Sequence, residues 1–212
     1  MRDIPMFTTE YGVASLILRE IPYRKEAYIR IHDAAKPDEF LKECVTFCCM
    51  AGAKKVFATG HKYLLSYALH TAVWKMCRSM NGLPETTAMT IPVTEGKLEE
   101  WRQIYNDAMA DVANASYMDR LDAERMLQSG EGYFVHSNGE LLGIGKVSGD
   151  TIQAIVSLVR GAGQDVLLAL THALFSEQVY LEVASSNVRA VRLYERLGFV
   201  KTAELTEWYC VY

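Results

Sequence analysis

LEVASSNVRAVRLYERLGF, Leu181 to Phe199, changes its period half-way along. In ValTyrLeuGluValAla, residues 179 to 184, Glu182 alternates with Leu181 and Val183 as in a strand, whereas Val188 to Leu197 has helical spacing. Asn187 stands at the helix start, where a short amide caps free N–H groups or turns outward to an amide-bearing ligand. Tyr194 follows seven residues later, two turns on, and projects from the same helix face. Arg189, Arg192 and Arg196 fall elsewhere around the helix and read as solvated surface.

Working upstream, Arg160 to Gly163 is a glycine loop opening a helix that is predicted to run through Phe175. A strand over Thr151 to Val159 precedes it. Before that, the segments 132–136 and 140–147 flank SerAsnGly, and Asn138-Gly139 suits a tight two-residue hairpin turn. Glu99 to Asn114 predicts a helix with Trp101, Ile104, Tyr105, Ala108, Met109 and Val112 on one face, and Asp119 to Ser129 predicts another, stopped by Gly130. AMTIPV, residues 88 to 93, predicts a strand, and two more are expected around Val200–Leu205 and Trp208–Tyr212. The order β, α, α, β, β, β, α, β, α, β, β implies an α/β (α+β) fold with a mixed central sheet flanked by helices.

The front reads less cleanly. Gly12 to Ile31 predicts a hairpin, Asp38 to Ala51 a helix, and residues 54–60 a short buried strand. His61 to Met80 supports two readings: helical spacing through Leu64, Tyr67, Ala68 and Thr71, or a strand around Val73 to Cys77. NGLPE at 81–85 breaks any periodic structure and divides the chain into segments 1–87 and 88–212. Cys44, Cys48 and Cys49 continue the apolar stripe of the 38–51 helix, so core packing is expected of them rather than metal or redox chemistry. His61, His70 and His172 carry no ligand pattern.

With half of its 212 residues hydrophobic and only 5 prolines, the chain is neither disordered nor low-complexity. Residues 1–90 hold 12 Lys+Arg against 9 Asp+Glu, residues 91–212 only 10 against 17, and no basic run exceeds two residues. Nucleic acid is therefore not expected as a partner. No apolar run approaches the ~20 residues of a membrane helix, and the start MRDIPMFTTEYG lacks a signal-peptide core. Five cysteines, an odd number, fit reduced thiols. No membrane association and a cytoplasmic location are expected.

Leu181, Val183, Asn187, Ala190, Leu193, Tyr194, Glu195, Leu197, Gly198 and Phe199 stand in register with the closing motif of the GNAT superfamily of acyl-coenzyme A dependent N-acyltransferases. The chain from about residue 88 to 212 resembles that family in element order as well. The resemblance implies transfer of an acetyl group from acetyl-CoA, as co-substrate, to a small-molecule or peptide amine by direct attack in a ternary complex. The backbone of Leu158, Val159, Arg160, Gly161, Ala162, Gly163, Gln164 and Asp165, together with Asn187 and Tyr194, would hold the co-substrate. Family members carry R/Q-x-x-G-x-G/A in this loop, whose N–H groups receive the pyrophosphate; the last small position is here Asp165, an anion near a phosphate site.

Tyr194 would serve the departing thiolate. A phenol near pKa 10 is weaker than a thiol near 8.5, so full proton transfer is uphill by roughly 2 kcal/mol and hydrogen-bond stabilisation is the sounder description. The family's base is a carboxylate on the strand before the glycine loop. Residues 151–158 contain none, which leaves Asp150 and Glu182 as catalytic candidates. Asp165 and the missing carboxylate motivate an alternative, a non-catalytic acyl-CoA binding or regulatory module. The front segment, whose hairpin, helix and strand echo the middle of the fold, reads as a truncated GNAT-like half or as a divergent acceptor-binding cap. Monomer and homodimer both remain open.

Overall fold

The computed structural model describes residues 5–174 and 176–212. Phe175, the expected end of one helix, and residues 1–4 of the start read for a signal peptide lie outside them. In chain order the elements are β1 (Met6–Thr9), β2 (Gly12–Ile17), α1 (Ile21–Arg24), β3 (Glu26–Ala34), α2 (Pro37–Met50), β4 (Lys55–Thr59) and β5 (Ala68–Ser79). Then come β6 (Met89–Pro92), α3 (Leu98–Met109), α4 (Arg120–Ser129), β7 (Gly132–Ser137), β8 (Glu140–Ser148) and β9 (Thr151–Ser157). The chain closes with α5 (Gly163–His172), β10 (Gln178–Ala184), α6 (Val188–Arg196) and β11 (Val200–Cys210). It packs as two compact units, one of Met1–Val73 with Leu205–Tyr212 and one of Trp74–Glu204.

In the front unit β1, β2 and β3 form an antiparallel meander, β4 runs parallel to β3, and the end of β11 pairs antiparallel with β4. The α2 stripe buries Phe40, Leu41, Cys44 and Cys48 against Ala14, Leu16, Ile29, Ile31 and Val56, which explains its three-and-four spacing. Burial pushes the Cys44 and Cys48 thiols up to about 12, as expected of inert core cysteines. Two details differ from the sequence expectation. The strands of the predicted hairpin are joined through the single helical turn α1, and β1, alternately exposed and half-buried, joins the meander as an unforeseen edge strand. The ambiguous segment resolves into a short 3₁₀ turn over Lys62–Ser66 and the strand β5; once partners are available, Thr71, Val73 and Trp74 favour extension over a helix.

A second apolar cluster in this unit joins Tyr28, Phe57, Val73 and Trp208, and the His70 ring stacks on Phe57 at 4.0 Å. Burial holds the His70 imidazole below its ordinary 6.5, with Arg24 and Lys55 adding to the effect and Glu26 opposing it. The unfolded chain therefore binds this proton first, and His70 subtracts stability as pH falls below 6.5. In urea denaturation between about pH 7.5 and 5.5, wild type should lose more stability on acidification than His70→Phe. Equal losses would remove His70 from the account.

In the rear unit the strand order is β11-β5-β10-β9-β8-β7-β6. Strands β6 to β9 are successively antiparallel, and β10 is parallel to β9. The β7–β8 turn uses Asn138 at φ 51° and Gly139 at φ 82°, the double left-handed geometry that its sequence demands. One face of the sheet packs against α5 and α6 through Val135, Leu167, Leu170, Leu181 and Val191. Another cluster sets Trp101 of α3 and Met126 of α4 against Phe134, Ile144 and Val156. Helix α3 ends at Met109 rather than Asn114, because Asn106 exchanges hydrogen bonds with both N–H and C=O of Met118 and so folds the following loop back on the helix. The last strand is also longer than expected. With no Gly or Pro between Val200 and Cys210, the two predicted strands form one.

Candidate functional site

The parallel pair β9 and β10 is joined only at Tyr180 opposite Thr151 and Leu181 opposite Ile152. Beyond that point Gln153–Ser157 and Glu182–Ala184 run on without pairing to each other, among the described residues. Edge amides left free in this way can pair with an extended, amide-bearing ligand as though it were another strand. The two strands open toward their C-terminal ends, from which both the glycine loop and Asn187 continue. The front unit's parallel pair differs: β3 and β4 stay joined at five positions, from Glu26 opposite Lys55 to Arg30 opposite Thr59.

At the end of β9 the loop is anchored on both sides. The Leu158 N–H donates to the Leu142 carbonyl at 2.9 Å, and the Ser157 hydroxyl to the Val159 carbonyl at 2.9 Å. Gly161 adopts φ 94° with nothing near its missing side chain, so here glycine answers to backbone conformation. Gly163 answers to packing, since a Cβ would stand 3.2 Å from Leu193 of α6. That close approach brings α6, one residue before Tyr194, against the first turn of α5. Ala162 supplies no side-chain cap, and the N–H groups of Gly163, Gln164 and Asp165 have no protein acceptor among the described residues. An uncapped helix start of this kind, with open approach at Gly161, suits a phosphate group. Arg160, Gln164 and the apolar Leu158 are exposed around it.

Asp165, the departure from the family pattern, is engaged elsewhere. Its Oδ1 accepts from the Thr86 hydroxyl at 3.0 Å, and Thr86 Oγ1 in turn accepts from the Ala88 N–H at 3.1 Å. Nothing in the sequence links residues 79 positions apart.

Asn187 caps α6, accepting from the Ala190 N–H at 3.2 Å through Oδ1, so only its Nδ2 is left to offer a ligand. Tyr194 is buried, its ring 6.0 Å from Phe199, with no hydrogen bond from its hydroxyl to protein among the described residues. Burial pushes the phenol up to about 12, which widens the gap to a thiol near 8.5 to roughly 5 kcal/mol. The arrangement can donate a hydrogen bond but is poorly matched to full proton transfer.

The structure separates the two carboxylate candidates. Asp150 is exposed in the turn before β9, where it accepts from the Thr151 hydroxyl at 2.9 Å. The whole length of β9, about 20 Å, lies between it and the glycine loop, so it does not belong to this site. Glu182 lies on β10 where pairing with β9 has ceased, exposed while Leu181 and Val183 are buried on the other face. His136 went unremarked in the sequence. It is the last residue but one of β7, its ring 6.4 Å from that of Phe134, with a buried Nδ1 that has no partner among the described residues. A histidine in an alternating strand carries no local signal of that kind. Arg189, Arg192, Arg196 and His172 are exposed, and His61 caps the 3₁₀ turn through Nδ1. Among the described residues no three metal-ligating side chains cluster, and no helix is long and apolar enough to cross a membrane.

Residues 158–199 match the model of the acetyltransferase (GNAT) family. No match is found among curated protein sequences. Among solved structures, a GCN5-related N-acetyltransferase from Sphaerobacter thermophilus aligns with a TM-score of 0.58 at 13% identity, over 93% of this chain and 74% of its own. A GCN5-related N-acetyltransferase from Kribbella flavida gives 0.58 at 14% identity, over 98% and 89%. A conserved protein of unknown function from Staphylococcus epidermidis gives 0.61 at 12% identity, over 98% and 93%. At these identities the structures speak for fold. The family model covers the glycine loop, the capped helix and Tyr194 in one span: residues 158–199 are similar to the GNAT acetyltransferase family, in a chain with a mixed α/β GNAT-like fold.

Proposed function

We propose that the protein is an N-acetyltransferase that moves an acetyl group from acetyl-CoA to an amine. The observation that carries this reading is the unpaired span of β9 and β10 beside the uncapped start of α5. Coenzyme A presents a pyrophosphate and, further along, an arm with two amides. Residues 163–165 would receive the first through backbone N–H groups, and the free edges of Gln153–Ser157 and Glu182–Ala184 would pair with the second. The amine attacks the thioester carbonyl directly, the C–S bond breaks, and the electron pair leaves on sulfur. Tyr194 donates a hydrogen bond to that sulfur, and Glu182 takes the amine's proton, directly or through water.

The acceptor is a cationic amine, such as a polyamine, an aminoglycoside or a lysine side chain, in keeping with the acidic balance of residues 91–212. A non-catalytic acyl-CoA binder on the same fold is the rival reading, and Asp165 is what favours it. Of the parallel pairs β3–β4 and β9–β10, the second is the open one among the described residues, and the front pair leads into α2 through Pro37, which has no N–H to give.

Calorimetry with coenzyme A should therefore yield one site per chain, and a thiol-release assay with acetyl-CoA across an amine panel should show turnover. Binding without thiol release establishes the rival, and no binding at all removes both readings.

A further inference from the structure

Asp165 is the third residue of α5 and faces a choice common to carboxylates there: it can turn back toward its own helix's first N–H groups or outward to another partner. The first option would occupy the donors that a pyrophosphate needs and place a negative charge among them. In this fold the second is taken. Thr86, in the segment leading into β6, donates its hydroxyl proton to Asp165 Oδ1. Because Thr86 Oγ1 itself accepts from the Ala88 N–H, the side chain is held in this rotamer. Both side chains are half-buried, so the contact is only partly screened by water.

We propose that Thr86 is a positioning residue for coenzyme binding: its hydroxyl holds the Asp165 carboxylate off the free N–H groups of Gly163 and Gln164, and so keeps that turn open to the pyrophosphate. This rests on the acyl-CoA reading of the site. It explains how an acidic residue is tolerated at a position where the family carries a small one. The carboxylate is tethered rather than neutralised, so its repulsion of a phosphate depends on where the tether keeps it.

The test is coenzyme A affinity, by calorimetry, of wild type, Thr86→Val, Thr86→Ser, Asp165→Asn and the double variant Thr86→Val/Asp165→Asn. Removing the hydroxyl while keeping the side-chain shape should raise Kd about tenfold, the scale of a hydrogen bond to a charged group. Serine should restore affinity to within about twofold, and the Val penalty should vanish once Asp165 is Asn. Raising salt from about 0.05 M to about 0.5 M should shrink the Val penalty, which a loss of packing would not do.

Wild type that binds while Thr86→Val binds equally well overturns this inference alone, as does a Val penalty that persists in the Asn background. Wild type that fails to bind overturns the site reading beneath it. If Thr86→Val does not fold, Asp165→Asn still decides. Affinity equal to wild type or tighter is expected of it, and a weaker Kd would mean that the carboxylate itself assists binding.

Discussion

Tyr194→Phe should lower kcat by about a hundredfold while leaving the affinity for coenzyme A within about threefold, because one donor aimed at developing charge in a dry site is worth that much and the ring itself is retained. The ring is buried in the rear core against Phe199, and phenylalanine fills the same volume, so folding should be little affected. The elevated phenol pKa of about 12 makes the prediction specific. Were Tyr194 a full acid, its proton would have to move to a sulfur that holds it less tightly, and activity would track the basicity of the leaving thiol. With hydrogen-bond stabilisation, ionisation of the phenol should cause no loss of wild-type rate up to about pH 9, in the range where it stays protonated. Steady-state kinetics and calorimetry on the two proteins check both statements. A variant with unchanged kcat would leave Tyr194 as a core residue and shift the weight to backbone donors.

Trp101→Ala should cost about 3 to 5 kcal/mol, the largest stability loss expected of any single truncation here. The side chain is wholly buried between Met126, Phe134, Ile144 and Val156, stacks on Tyr105 with ring centroids 5.6 Å apart, and donates from Nε1 to the Tyr133 carbonyl at 3.0 Å. Alanine removes the packing and also strands a carbonyl. Trp101→Phe keeps most of the volume and loses the hydrogen bond, so its penalty should be near 1 to 2 kcal/mol. For a chain of this size the alanine variant should melt about 10 °C lower. Far-ultraviolet circular dichroism is the suitable probe, since fluorescence changes with the tryptophan itself. Helix α3 also carries Arg102 and Asn106, which hold the loop before α4 through the Met118 carbonyl, so loosening this helix should loosen that loop.

A meander, a helix and a parallel strand recur in both units, β1-β2-β3-α2-β4 and β7-β8-β9-α5-β10. The two parallel pairs differ in extent, with five paired positions in front against two behind.

What the sequence determined by itself was local. The change of period between 179 and 197, the Asn187 cap, the Asn138-Gly139 turn and the Trp101 stripe each depend on residues a few positions apart, where backbone sterics and one hydrogen bond settle the outcome. Tertiary structure decided what depends on partners distant in the chain. Residues 68–79 became a strand because neighbours were there to pair with them, and one strand replaced two at the C-terminus for lack of any breaker. Asp150 fell at the wrong end of β9, while Asp165 found Thr86. Alternation and propensity assign a residue to a face or an element, but they say nothing about which strand edges remain unpaired or which hydroxyl reaches a carboxylate, because those contacts arise only after the sheet has chosen its register.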